Sequence, residues 1–144
     1  MKTQKRIWAV LFMLLLWAAF VPAHAALAVI VHPSNNMSGI TAEEAANIYL
    51  AKVGVFSNGK RAIPVDQSAS SSVRKKFYST VIKKDDSTLK VYWSKLLFTG
   101  KANPPREIGD DADVKSWVAE NPEAIGYVDG KFVDSSVKVL LILP

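Results

Sequence analysis

The sequence predicts an α/β fold with a mostly parallel sheet and helices on both faces. Three observations carry this. Leu27 to Val31 is a continuous apolar run, as expected of a strand buried on both sides. Short apolar runs alternate along the chain with segments of helical periodicity. Turn and cap residues separate the two kinds of segment at nearly every boundary.

The first strand, Leu27 to Val31, is stopped by His32-Pro33-Ser34-Asn35-Asn36. Thr41 followed by Glu44 is a capping box, and it opens a helix to about Ala51 with Ala45, Ile48 and Tyr49 inward. Ser57-Asn58-Gly59-Lys60 is a turn. Ala62 to Val65 reads as a second strand. The cluster Ser68-Ala69-Ser70-Ser71-Ser72 leads into a helix with Val73, Phe77 and Val81 at i, i+4 and i+8. Lys83-Lys84-Asp85-Asp86 reads as a solvated turn before a helix whose core stripe is Leu89, Trp93, Leu96 and Leu97. Thr99 to Gly109, with Pro104-Pro105, reads as loop. Asp110 caps a short helix carrying Val114, Trp117 and Val118, which Asn121-Pro122 ends. Ile125 to Val128 is a strand, Asp129-Gly130 a turn, and Val137 to Leu143 a closing strand. No repeat, linker or low-complexity tract interrupts the pattern.

The chain has 144 residues, 49% apolar and 22% charged, and no Cys. That length fits one domain, and the composition excludes wholesale disorder. The missing Cys excludes disulfide scaffolds, Cys-ligated zinc, iron–sulfur sites, thiol nucleophiles and a lipid-bearing Cys. Lys2, Lys5 and Arg6 precede the apolar run Ile7 to Phe20, which is followed by Pro22 and Ala23-His24-Ala25. This is the pattern of a secretory signal peptide over residues 1–25, with cleavage expected after Ala25. The run is shorter than the roughly 20 apolar residues of a membrane span, so no membrane insertion is expected after cleavage. No paired Arg precedes the run, so nothing suggests the twin-arginine route. The mature domain is then 26–144. Losing three cations from a formal charge of +5 leaves it at +2. That offers little counterion release, so no nucleic-acid partner is expected. Export without Cys fits a bacterial periplasm. Asn36-Met37-Ser38 matches a glycosylation acceptor and reads as a plain loop.

The serine cluster is the most informative feature for function. It follows a strand and opens a helix, where backbone N–H groups lack partners and the helix dipole favours an anion. Its hydroxyls add uncharged donors. The structural alternative is that the serines simply cap the helix.

A family resemblance weights these readings. Ile48-Tyr49-Leu50-Ala51-Lys52, then Asn58-Gly59-Lys60, Ile63-Pro64-Val65, the serine cluster with Phe77, and Asn121-Pro122-Glu123-Ala124-Ile125-Gly126-Tyr127-Val128 occur in a familiar order. Together they resemble the phosphate-binding proteins of ABC transporters, the PstS-like branch of type 2 periplasmic binding proteins. The resemblance runs from about Ala26 to Val139. It implies a single three-layer lobe of that fold and a small-oxyanion ligand such as phosphate, with no cofactor, metal or catalysis. By position it places Ser71 at the family's phosphate-ligating Ser. Ser68, Ser70, Ser72, Val73 and Arg74 are the neighbouring ligand-binding candidates. Ser72 stands in place of a Gly, Val73 in place of a Thr, and Gln67 in place of the Arg that pairs with the anion. Gln donates hydrogen bonds but no charge. Asp66 beside it would repel a dianion, and Arg74 can supply the missing charge. The length suits one lobe of what is a two-lobed protein in the family, so the site is expected to be open and weak unless a partner covers it.

Other chemistries are poorly served. Ser72-Val73-Arg74-Lys75 matches the S-x-x-K acylating dyad without its companion motifs. His32 is the one His after processing, so a Ser-His-Asp triad would hang on it alone. Asp110-Asp111-Asp113 lacks EF-hand spacing and fits a helix start. The aromatic residues fit core stripes. The leading expectation is therefore a non-enzymatic, exported, oxyanion-binding domain related to ABC phosphate uptake. The alternative is a ligand-free interaction module that docks on an envelope or transporter protein.

Overall fold

The computed structural model describes residues 26–144, so the signal-peptide reading falls on residues outside those described. The elements are β1 (Leu27–Val31), α1 (Ala42–Tyr49), β2 (Ile63–Gln67), α2 (Ser72–Phe77) with a π-helical turn at Tyr78–Ile82, α3 (Asp86–Phe98), β3 (Arg106–Gly109), α4 (Asp111–Glu120), β4 (Ala124–Asp129) and β5 (Lys138–Leu143). The sheet order is β3-β2-β4-β1-β5. Strand β2 is parallel to β3 and β4, while β1 runs antiparallel to β4 and β5. Four strands thus share one direction and β1 opposes them.

The apolar run of β1 is explained by this central position. Leu27, Val29 and Val31 face one core, with Ala45, Ile48, Tyr49, Phe77, Val81 and Leu89 from α1 to α3. Ala28 and Ile30 face the other, with Val114 and Val118 of α4 and Val65 and Val128 of the sheet. Helices on both faces of one sheet make three layers. Caps set the helix starts. Thr41 Oγ1 accepts from Glu44 N–H at 3.1 Å while Glu44 Oε2 accepts from Thr41 N–H at 2.8 Å. Asp110 and Asp113 repeat this reciprocal arrangement at α4, and Asp85 accepts from Thr88 N–H at 2.7 Å at α3. The turn at Asn58-Gly59 is held by Gly59 at φ 81° and by Lys60 N–H donating to Asn58 Oδ1.

Two expectations are corrected. The segment read as loop up to Gly109 contains edge strand β3. Its Arg106 and Glu107 are exposed, and its pairing with β2 is a non-local contact without an apolar signature. The α3 stripe reaches the core only in part: Leu89 is buried, Trp93 packs half-buried against the core and Leu96 is half-buried, while Leu97 is 49% exposed. On the same helix Val91 is 69% and Phe98 94% exposed.

The pairing of β2 with β4 is short, covering Ile63↔Ala124 and Pro64↔Ile125. Pro64 has no N–H to donate. Beyond it, side chains join the strands. Tyr49 OH from α1 donates to Val65 O at 2.8 Å and to Ile125 O at 3.2 Å. On the opposite face α4 presses close to β4 at Gly126, where a Cβ would lie 2.7 Å from Val114 Cγ1 and 3.0 Å from Val118 Cγ2. Gly126→Ala should therefore cost about 1–3 kcal/mol through overpacking. Urea unfolding of the variant should show a lower midpoint with an unchanged slope; an unchanged midpoint would contradict the close α4–β4 contact.

Candidate anion site

Strand β2 delivers Asp66 and Gln67 to the carboxyl edge of the parallel strands, and the serine loop follows. Ser68 N–H donates to Gly109 O at 2.8 Å, which ties the loop to the end of β3. Ser71 N–H donates to Ser68 O at 2.9 Å and closes the turn. Ser71 is the N-cap of α2: its Oγ accepts from Arg74 N–H at 3.1 Å and donates to Gln67 Oε1 at 2.6 Å. The Gln67 side chain is fully engaged. It is 1% exposed, and its Nε2 donates to Asp111 Oδ1 and to Tyr127 O, both at 3.0 Å. Gln67 and Ser71 therefore form a frame behind the loop rather than its outer surface.

Asp66 lies deeper, 3% exposed. Its Oδ1 accepts from Gln67 N–H at 3.0 Å and from the Tyr127 hydroxyl. Its Oδ2 accepts from the Tyr78 hydroxyl at 2.5 Å and lies 3.7 Å from Arg74 Nη2. Arg74 donates from Nη1 to Gln67 O at 2.8 Å and sits over the Tyr78 ring, 5.3 Å from its centroid. Glu107 of β3 completes the surroundings. Its Oε1 accepts from Ala69 N–H at 3.2 Å, and its Oε2 lies 3.6 Å from Arg74 Nη1. One guanidinium thus serves two carboxylates. Beneath them Phe77 stacks on Tyr127 with ring centroids 3.9 Å apart, and Tyr49 meets Phe77 edge-on.

The expected site residues are thus brought together, in two roles. Among the described residues, no hydrogen bond uses the N–H groups of Ser70, Ser72 and Val73 or the hydroxyls of Ser68, Ser70 and Ser72. These donors lie at the open edge of the loop with Ser70 and Ser72 exposed, and Arg74 is the adjacent cation. Tyr78, Tyr127, Glu107 and Asp111 are neighbours that sequence reasoning did not place at the site. Tyr127 stood within the resemblance but looked like core. Glu107 gave no signal, because its strand is visible only through pairing with β2.

Other candidates lie elsewhere. His32 Nδ1 is 2.8 Å from Ser34 Oγ in a local turn. Asp110 and Asp113 cap α4, and Asp111 Oδ1 also accepts from Asp129 N–H at 2.8 Å. Among the described residues no group of three or more His, Asp or Glu could hold a metal, and no hydrogen bond joins Ser72 to Lys75. No helix among them is long and apolar enough to cross a membrane.

No protein-family model and no curated sequence matches the chain. Solved structures do. A Clostridium perfringens protein assigned as a phosphate ABC transporter substrate-binding protein, solved with bound phosphate, superposes with a TM-score of 0.64 at 22% identity over 81% of this chain. The chain shares the fold of about half of that protein. An ABC-type phosphate transport receptor from Vibrio cholerae gives the same TM-score, identity and coverage of this chain, and PstS from Borrelia burgdorferi gives 0.61 at 16% identity. The match spans 45–47% of those chains, so this lobe corresponds to about half their length. These neighbours are named as binding and transport proteins, not enzymes.

The aromatic floor of the lobe makes a prediction at high pH. Burial, followed by the charge of Asp66, raises the Tyr78 and Tyr127 hydroxyls well above the ordinary phenol value near 10. Burial and then Tyr127 do the same for Tyr49. The folded state holds these protons more tightly than the unfolded chain. Their contribution to stability is therefore complete below pH of about 10 and is lost as pH rises beyond it. In a titration followed at 295 nm, these three tyrosines should ionise only as far-UV circular dichroism is lost. Their ionisation near pH 10 in a still-folded protein would contradict the buried network.

Proposed function

We propose that the chain is an exported, non-enzymatic domain that binds phosphate or a similar small oxyanion at the Ser68–Ser72 loop and the start of α2. The observation that carries this is the set of unused donors at Ser70, Ser72 and Val73, with the hydroxyls of Ser68, Ser70 and Ser72. They sit at the carboxyl edge of the parallel strands, where open α/β sheets collect ligands. Arg74 adds charge, while Ser71 and Gln67 hold the loop in shape. The lobe fold, shared with a protein solved with bound phosphate, supports the same ligand class. One cation flanked by Asp66 and Glu107 implies weak binding, and half of a two-lobed cleft implies the same. In uptake the domain would act in the periplasm with a transporter or envelope protein that covers the loop.

A second reading, a ligand-free interaction module, is favoured by one specific feature: the apolar side chains of Val91, Leu97 and Phe98 that α3 leaves uncovered. Isothermal titration with phosphate, sulfate and acetate separates the two. Saturable binding at millimolar concentration or tighter supports the oxyanion reading, and no heat with any anion supports the module. Removing a hydroxyl donor to a charged ligand costs about 1.5–3 kcal/mol, roughly ten- to a hundredfold in affinity. Ser72→Ala should therefore weaken phosphate binding by that factor without loss of folding. Ser71→Ala should weaken it too and should also lower stability by about 1 kcal/mol through the lost cap. Binding that is indifferent to both changes would move the site away from the loop. Export is tested separately: mass spectrometry of the protein from the native envelope should find Ala26 as the first residue, and an intact Met1 would contradict cleavage.

A further inference from the structure

Glu107 flanks Arg74 at this site without being one of the donors proposed to hold the anion. Register pairs it with Asp66 across β2 and β3, and the pairing shifts immediately afterwards, between Asp66 and Gln67. That placement brings its carboxylate over the serine loop. There it takes the Ala69 N–H at 3.2 Å and faces the Arg74 guanidinium at 3.6 Å. A loop N–H together with a guanidinium is the donor pair that a bound oxyanion would want. The two carboxylates near Arg74 differ sharply in freedom. Asp66 is buried and held by the Tyr78 and Tyr127 hydroxyls and the Gln67 N–H. The Glu107 side chain is 52% exposed and is held, besides Arg74, by the Ala69 N–H, so it can swing away without leaving a buried group unsatisfied.

We infer that Glu107 is a specificity-determining residue: an intramolecular carboxylate that competes with incoming anions for Arg74 and the Ala69 N–H. The inference rests on the reading of this loop as an oxyanion site. A tethered group acts at an effective concentration of millimolar order or more. Acetate offers the same two oxygens as Glu107 without the tether, so it is outcompeted. Phosphate and sulfate carry further oxygens that reach the donors of Ser70, Ser72 and Val73, which Glu107 does not touch, so they displace it. Glu107 thus lowers the affinity for every anion and lowers it most for carboxylates.

The test is titration of the wild type, Glu107→Gln and Glu107→Ala with inorganic phosphate and with acetate, circular dichroism confirming the fold of each. Glu107→Gln removes the competing charge, and Glu107→Ala removes the competing oxygens as well. Phosphate affinity should rise at least about tenfold in both, as expected for lifting one like charge a few ångströms away. Acetate binding should become measurable in Glu107→Ala while it is absent in the wild type. Phosphate binding to all three proteins with equal affinity would overturn the role of Glu107 and leave the loop as the site. No binding of either anion to any of the three would overturn the oxyanion reading and this inference together.

Discussion

A carboxylate buried at the end of a parallel strand sets the terms for everything around it. Asp66 cannot stay charged in that position without compensation, because an unpaired buried charge costs several kcal/mol. Four groups from four places in the chain meet it: the Gln67 N–H beside it, the Tyr78 hydroxyl from the turn after α2, the Tyr127 hydroxyl from β4 and the Arg74 guanidinium from α2. Three of these four residues then act a second time. Tyr127 stacks on Phe77 and so fixes α2 on the sheet. Arg74 bonds to Gln67 O and holds the loop to the strand it leaves. The Gln67 side chain reaches Asp111 and Tyr127 O, and thereby joins β2, α4 and β4 where the backbone ladder between β2 and β4 has ended. The serine loop is shaped from below by this network, which leaves its outward-facing donors unengaged.

That division of labour bears on how the proposed anion site would work with so little charge. Arg74 is shared between Asp66 and Glu107, so attraction at the proposed site would come from oriented N–H and O–H groups as well as from the guanidinium. The arrangement differs from an Arg–phosphate fork, where a planar guanidinium supplies both charge and geometry. Gln67 stands where the resemblance would place that Arg, and its burial between β2, α4 and β4 shows what the neutral side chain does instead. A second protein surface facing the loop would exclude water and strengthen each remaining contact.

How much of this was legible from residues alone follows the range of the interactions. Thr41 with Glu44, the Asn58-Gly59 turn and the Asp110 cap act over two or three residues and are legible in the sequence, while the return bond from Asp113 is not singled out there. The apolar run of β1 announced a central strand, but burial on both faces says nothing about direction, and β1 proves to run against its neighbours. Strand β3 was hidden because an edge strand needs no apolar pattern and its partner lies about forty residues earlier in sequence. The α3 stripe holds at Leu89 and Trp93 and fails at Leu97, because periodicity marks which residues share a face, not how far that face is covered. At the site, the position of the serine loop was visible, yet the spending of Gln67 and Ser71 on the frame and the approach of Glu107 depend on tertiary contacts that no local spacing encodes.

The central claim is that the loop after β2 takes the anion through donors its own frame leaves free. Two-dimensional nitrogen–proton NMR during a phosphate titration tests it residue by residue. The account predicts saturable shifts concentrated at the amides of Ser70, Ser72 and Val73. The amides of α1 and β5 should stay in place. Shifts concentrated instead around Arg61 and Lys101–Arg106, which line a separate cavity of about 460 Å³, would contradict it.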